Sequence, residues 1–361
     1  MKIIQRHYIG EFFKLFFIVT LGLSLIFSLL DIIDKVDDFR PGESSIDMVI
    51  LYVLLSLPKY LLYLMPIATL ICSLFIFGQA SRNKELVIVK ATGGRLKTLF
   101  YPFIISGIFL SIFSLLIGEF VIPDFTRRSY ELKYALEKKG QKFAFKEGTL
   151  WLRSTDGSPV RIELYIPDKK IAVDVSIFVY GKGFLKKRIE AEKAEWIETG
   201  VSSQRGIWML RKATIYDVES GKISGIAEME YPNLESPNFF SDAIKKPEEM
   251  GMVELYEYAK RLNNAGFRNT KLIVDLNLKG SYPLTNFFML LLGISLSLRN
   301  NFGGGLFAAG LGLFISLLYW LGYTLMLSLG YAGIVPPFLS AWTIPILFGI
   351  AAIFLFVKIP D

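Results

Sequence analysis

Residues 48–78 read MVILYVLLSLPKYLLYLMPIATLICSLFIFG, a run in which Lys59 is the only charge. A helix needs roughly 17–25 mostly apolar residues to cross ~30 Å of hydrocarbon. This run exceeds that length, so it predicts a tilted or kinked span that continues past the bilayer. Its side chains are apolar on every helical face, whereas a helix of a water-soluble protein keeps a polar side. Further runs on either side meet the same criterion: residues 12–30 with Lys14, 99–122 with Glu119 close to its end, then 282–298, 302–329 and 334–357. The first of these is too long for a signal-peptide core. Asp31, Asp34, Asp37 and Asp38 follow it where a small-residue cleavage site would stand.

Composition agrees but would not decide the class alone. The 361 residues are 52% hydrophobic and 20% charged, against roughly 45–50% and about 25% for soluble domains. The excess is modest, and its concentration at the two ends of the chain carries the argument. Orientation follows from Lys and Arg in the short loops. Lys2, Arg6, Arg82, Lys84, Lys90, Arg95, Lys97, Arg299 and Lys358 fall on one side. Residues 31–47, on the other, are rich in Asp and Glu. Six spans then place both termini in the cytoplasm and residues 123–279 outside it. The net charge of +7 sits on loops and on this exported segment, with no basic stripe interleaved with aromatics, so nucleic acid is not an expected partner.

Cys72 is the one cysteine and His7 the one histidine. Cys72 falls inside the second span, as a small packing residue. A Cys/His zinc site and a Ser-His-Asp or Cys-His catalytic group are excluded on these counts. No G-x-x-x-x-G-K-[ST] phosphate cradle occurs. No cofactor or metal is expected, and the chain should not hydrolyse ATP itself. Any active transport needs an ion gradient or a separate ATPase.

The exported segment reads as strands at residues 149–153, 160–166, 171–180, 189–197, 206–218 and 223–231. Turn chemistry separates them at Asp156-Gly157-Ser158-Pro159, Pro167-Asp168, Gly181 to Gly183 and Ser220-Gly221. Alternation such as Val160-Arg161-Ile162-Glu163-Leu164 turns one face to an apolar interior, which predicts an antiparallel sandwich or jelly roll. A connecting helix is expected over 248–265, with Pro247, Glu248 and Glu249 at its start and Gly266 at its end. The expected organisation is three spans in 1–122 with a cytoplasmic loop at 79–98, the β domain in 123–279, and three spans in 280–361.

Several motifs resemble the LptF/LptG (YjgP/YjgQ-type) permease family of the lipopolysaccharide exporter, nearer its LptG branch. They are Arg6-His7-Tyr8-Ile9-Gly10, Leu57-Pro58-Lys59 with Met65-Pro66-Ile67-Ala68, the loop from Ser81 to Gly93, and Gly118-Glu119-Phe120-Val121-Ile122-Pro123. In the exported domain Arg188–Trp196 and then Trp208-Met209-Leu210 resemble the family's alternating "A-E-x-A-x-W … W-x-L" strand pair. The resemblance spans the chain in order. It implies one permease half in the bacterial inner membrane, paired with a second LptF/LptG-type subunit above an LptB-type ATPase dimer that binds the ATP. Lipopolysaccharide would pass into the periplasmic β-jellyroll and on to LptC/LptA-type proteins. It further implies that Arg82, Glu85, Leu86, Val89 and Gly93 belong to a coupling helix seated on the ATPase, the alternative being an ordinary interfacial helix. Lys35, Arg40, Lys59, Arg127, Arg128 and Lys133 are candidates to hold the cargo's phosphates, the alternative being interfacial anchors or intrachain ion pairs. Two other readings fit the layout less well. A membrane-anchored scaffold needs one span rather than six. An ion-coupled carrier needs mid-membrane acidic or histidine relays, which only Glu119 approaches.

Overall fold

The computed structural model describes residues 2–35, 46–94, 96–136, 143–146, 149–166, 169–181, 184–198, 206–234, 237, 246–264, 269–299 and 305–359. In chain order the helices are α1 (Lys2–Lys35), α2 (Ile46–Arg82), α3 (Glu85–Ala91), α4 (Leu96–Phe120), α5 (Ile122–Leu136), α6 (Met252–Asn264), α7 (Thr270–Arg299), α8 (Gly305–Tyr331) and α9 (Pro337–Val357). Six of them, α1, α2, α4, α7, α8 and α9, are long and apolar enough to cross a membrane. Each predicted run overlaps one of these helices. Helices α1, α2 and α7 outrun theirs at both ends, because backbone hydrogen bonding continues after hydropathy falls, whereas α4 ends at Phe120, two residues before its run, and α9 begins at Pro337, three residues into its run. The longest extension at one end is in α7, which begins at Thr270 rather than at residue 282 and so carries Asp275 and Lys279. At 1.5 Å per residue the 37 residues of α2 span roughly 55 Å, well beyond ~30 Å of hydrocarbon. Part of α2 runs beside α5, where Ser56 Oγ and Ser129 Oγ lie 3.3 Å apart.

Helices α2 and α7 form the centre of the bundle. Their apolar windows are 67% buried, against 22% in α1 and 28% in α8 and α9, whose outer faces are left to lipid or another chain. Gly293 shows how closely α7 approaches α2. A Cβ there would lie 1.8 Å from Ser73 Oγ and 3.2 Å from Leu70 O, so only glycine fits. Edge-to-face rings seal α1, α2 and α4, with Phe77 against Phe103 at 4.9 Å and against Phe100 at 5.1 Å between centroids. Polar contacts join α7 to α8: Tyr331 donates to Asp275 at 2.6 Å, and Ser281–Tyr323 and Thr285–Tyr319 pair at 3.1 and 2.8 Å. In an apolar medium such bonds contribute about 0.6 kcal/mol each. Cys72 is fully buried in α2, as expected of a packing residue.

Contact density divides the chain into two compact units: Met1–Lys138 with Pro247–Asp361, and Lys139–Lys246. Helices α5 and α6 therefore belong with the spans. Among the described residues the second unit is one antiparallel sheet of seven strands in sequence order: β1 (Phe143–Lys146), β2 (Thr149–Arg153), β3 (Pro159–Ile166), β4 (Ile171–Gly181), β5 (Phe184–Glu198), β6 (Gly206–Asp217) and β7 (Lys222–Tyr231). Sequence reading missed β1, whose four residues carry too little pattern. Gly157 at φ +85° and Gly221 at φ +65° supply the left-handed positions of their turns. Turn residues 167–168 and 182–183 lie outside the described residues.

The sheet curls over its apolar face. Tyr165 in β3 and Trp208 in β6 touch at 6.3 Å between ring centroids, although two strands separate them and a flat sheet would hold their backbones roughly 14 Å apart. Trp208, Val160, Ile162 and Ile177 are fully buried on that face. The expected alternation slips along one line that crosses the strands. Positions that join the sheet's apolar cluster fall three apart, not two, in Ile162/Tyr165, Ala172/Val175, Ala191/Ala194 and Leu210/Ala213. Pairing stays in register across the slip: Ala172 meets Ala194 and Val175 meets Ala191. Asp174 and Lys212 sit on that line with φ of 52° and 50°. A left-handed residue in a strand turns the following side chain to the other face, which keeps the apolar side continuous. Lys212 Nζ and Glu192 Oε2, 2.6 Å apart, pair across the line.

Candidate functional site

Where the chain leaves the spans for the sheet and returns, side chains from several elements converge. Glu119, in the last turn of α4, accepts hydrogen bonds from the backbone N–H groups of Met252 (2.5 Å) and Val253 (3.2 Å). These are the first amides of α6, which have no partner inside the helix, and a carboxylate there also meets the positive end of the helix dipole. Gly251 makes the approach possible, since a Cβ on it would lie 2.8 Å from Glu119 Oε1. The return helix therefore begins at Met252, not at residue 248. Pro247–Glu249 forms a separate 3₁₀ turn, and Gly266 lies outside the described residues.

That turn delivers Glu248 to Lys59, with Nζ and Oε2 2.7 Å apart and side-chain exposures of 29% and 47%. The Tyr130 hydroxyl of α5 also donates to Glu248, at 3.4 Å. Burial, then the charge of Glu248, raises the Tyr130 pKa above its ordinary value. Lys59 borders two cavities. One, of about 70 Å³, is lined by Tyr63, Ser114, Glu119, Thr126, Lys279 and Tyr282 among others. The smaller, of about 30 Å³, has Asp31, Tyr52, Ser56, Tyr60 and Ser129 in its wall. Tyr52 donates to Asp31 at 2.9 Å. In the larger cavity Ser114 Oγ and Thr126 Oγ1 are buried without a hydrogen-bond partner among the described residues.

Of the four basic candidates whose side chains are described, the structure brings only Lys59 to these cavities. Arg127 and Arg128 lie on the exposed side of α5, and Arg127 pairs with Glu131 at 3.0 Å. Lys133, half-buried, lies further along that helix. Lys35 ends α1 with its side chain outside the described residues, as is the whole of Arg40. Lys279 and Glu248 were missed. Lys279 precedes the apolar run that begins at residue 282, and Glu248 looks like an ordinary first-turn acid. Only pairing across 189 positions gives Glu248 its place.

At the opposite end, in the loop between α2 and α4, α3 presents two faces. Leu86 and Val89 are buried in the cluster that holds Ala80, Leu96 and Leu99. Val87 and Ile88 are 59% and 60% exposed. Leu86 and Val89 thus anchor the helix to its own bundle, and the outward apolar pair is one that sequence reading did not single out. The Glu85 carboxylate is held within the chain, accepting from the Tyr8 hydroxyl of α1 and from Asn83 Nδ2 at 3.0 Å. Arg82 is exposed. Gly93, at φ +80°, ends α3, donating to Lys90 O at 2.9 Å while Gly94 donates to Val89 O at 2.9 Å, the usual left-handed helix stop. Among the described residues no group of three or more His, Cys, Asp or Glu side chains could hold a metal.

Six candidate spans, three on either side of an inserted antiparallel sheet, with a short two-faced helix in the loop after the second, define a multi-pass membrane protein, and the family model places it among permease subunits. The chain belongs to the lipopolysaccharide export system permease LptF/LptG family, whose model matches residues 6–358. It is 24% identical over 296 residues to the lipopolysaccharide export system permease protein LptG of Escherichia coli K12, covering 80% of this chain and 79% of that one. It is 23% identical over 299 residues to LptG of Haemophilus influenzae, covering 80% and 81%.

Proposed function

We propose that this chain is one permease half of an ABC-type lipopolysaccharide extractor in the inner membrane, with both termini cytoplasmic and the curled sheet periplasmic. Two such halves open to the outer leaflet, and an LptB-type ATPase dimer docks beneath them. The sheet serves as the jelly-roll entrance to a bridge continued by LptC/LptA-type proteins. Moving one buried CH₂ into water costs about 0.8 kcal/mol, so drawing several acyl chains from the bilayer needs both an energy source and an apolar surface to receive them. The curled face around Trp208 and Ile162 is apolar and fully buried here, so in this reading the curl opens to take up acyl chains.

The observation that carries this reading is the exposed Val87–Ile88 pair on α3, apolar surface aimed away from the bundle in the loop that joins two spans. It suits a groove on a soluble ATPase. Lys59 is the basic residue best placed to meet a cargo phosphate, and its pairing with Glu248 offsets the cost of a lysine within an apolar run. The test is co-expression with the second permease subunit and an LptB-type ATPase. Val87→Asp with Ile88→Asp should abolish co-purification of the ATPase while leaving yield and elution volume of the permease unchanged. Lys59→Gln should lower lipopolysaccharide-stimulated ATPase activity more than basal activity. Full co-purification of the ATPase with the double variant would overturn the coupling assignment.

A further inference from the structure

Two lysines from different spans, Lys59 of α2 and Lys279 of α7, converge on the larger cavity. Lys59 is satisfied by Glu248. Lys279 is half-buried and, among the described residues, makes no hydrogen bond or close ion pair, although it lies in the field of Glu119, Asp275, Glu248 and Glu254. The Ser114 and Thr126 hydroxyls, which have no partner among the described residues, complete the polar lining. The two carboxylates of the cavity are not equivalent. Glu119 is committed to the α6 amides and closed in by Gly251. Glu248 is the more exposed partner of its pair and rides on a three-residue turn outside the spans. It is the removable group. With Glu248 withdrawn the cavity holds two ammonium groups, two hydroxyl donors and one carboxylate whose oxygens are already taken up by the amides of a helix end. That donor set suits a phosphate-type oxyanion.

We infer that the Lys59–Lys279 cavity is an oxyanion site which Glu248 occupies as an internal stand-in, so that an incoming phosphate displaces Glu248 and releases the Pro247–Gly251 strap. The inference rests on the reading that Lys59 meets an anionic cargo group, and it adds Lys279 as a second cation and Glu248 as the latch. Chain order gives the latch its consequence, because the strap is where the chain re-enters the helical unit after the sheet. Headgroup binding at the spans would thereby free the segment that follows the sheet.

The test uses the full-length protein in detergent micelles with three probes: dioleoyl phosphatidate, dioleoyl phosphatidylcholine and inorganic phosphate. Retention is read by native mass spectrometry and hydrogen exchange over residues 246–256. Phosphatidate, and not phosphatidylcholine, should bind and should speed exchange of the strap. Inorganic phosphate doing the same would support the site while assigning it to a soluble anion. Glu248→Gln should tighten phosphatidate binding roughly two- to fivefold, the scale of losing a partly exposed competing ion pair. It should also show fast strap exchange before lipid is added. Lys279→Gln should weaken binding, and the neighbouring control Glu249→Gln should leave it unchanged. Wild-type affinity in Glu248→Gln, an equal effect of Glu249→Gln, or strap exchange that phosphatidate leaves unaltered would each overturn the latch. If Glu248→Gln is silent while Lys59→Gln still lowers lipopolysaccharide-stimulated ATPase activity, the latch alone fails. If lipopolysaccharide does not stimulate the wild-type complex, the underlying functional reading fails.

Discussion

Replacing Glu119 with alanine should unfasten α6 without unfolding the bundle. The carboxylate accepts from two amides, Met252 N at 2.5 Å and Val253 N at 3.2 Å, and the variant leaves both with water as their only partner. Loss of a helix cap costs about 1–2 kcal/mol, and a hydrogen bond to a charged acceptor contributes roughly 1.5–3 kcal/mol. The site is partly open to solvent, so the low end applies, near 2 kcal/mol in total for the two bonds and the dipole term. Helix α6 has 13 residues, close to the length at which an isolated helix is marginal. Local opening should therefore rise by about thirtyfold, since 1.4 kcal/mol is a factor of ten. Hydrogen exchange of peptides covering residues 250–258 in the detergent-solubilised protein measures this directly. Glu119→Gln keeps an acceptor but drops the charge and should give about half the free-energy loss. Gly251→Ala should reproduce the alanine variant, because its Cβ would lie 2.8 Å from Glu119 Oε1. Protection of these amides within about threefold of wild type in Glu119→Ala, on the same free-energy scale, would refute the capping assignment.

Gly293→Ala should destabilise the bundle by about 1–3 kcal/mol, the usual cost of overpacking, because the new Cβ would lie 1.8 Å from Ser73 Oγ. Ser73→Gly should recover part of that loss in a double-mutant cycle followed by thermal unfolding in detergent, and strictly additive losses would argue against the contact. In the sheet, burial of Asp156 works to raise its pKa but is outweighed by hydrogen bonds from Ser158, Asn233 and Tyr231, which together hold it below the ordinary 3.8. Its folded pKa is depressed, so its stabilising contribution is present above the unfolded value and is lost as pH falls through the folded one. Protection of the Ser154–Ser158 turn, corrected for intrinsic exchange, should therefore fall below about pH 4 in the wild type. Asp156→Asn should be less protected at pH 6 and flat across the same acid range, and an acid loss equal to wild type in the variant would exclude Asp156 as its source.

How much was legible depends on how local the signal is. The spans were readable from single runs such as residues 48–78, because a helix in hydrocarbon satisfies its backbone internally and needs only apolar side chains for long enough. The strands beyond β1 were readable from turn chemistry at Asp156-Gly157 and Ser220-Gly221. The Ala191/Ala194 spacing was visible as a motif, but its cause was not. It is a slip in alternation that one strand cannot reveal, since it preserves the buried face only when β3, β4, β5 and β6 all slip along one line. On α3, sequence selected Leu86 and Val89 as an apolar pair without saying which way they point. Packing against Leu96 and Leu99 turned them inward and left Val87 and Ile88 for a partner.

The amino-acid order by itself determined the solvent of each segment: six stretches suited to lipid, a β-rich insert suited to water, and no phosphate cradle or Cys/His metal set. Those properties follow from composition over a window of neighbours. Only the tertiary structure decided that Glu119 caps α6 across 133 positions, that Glu248 meets Lys59, and that Lys279 faces the same cavity. A charge in a sequence has a partner only once the chain has folded, and here the partners lie on elements separated by the whole β insertion.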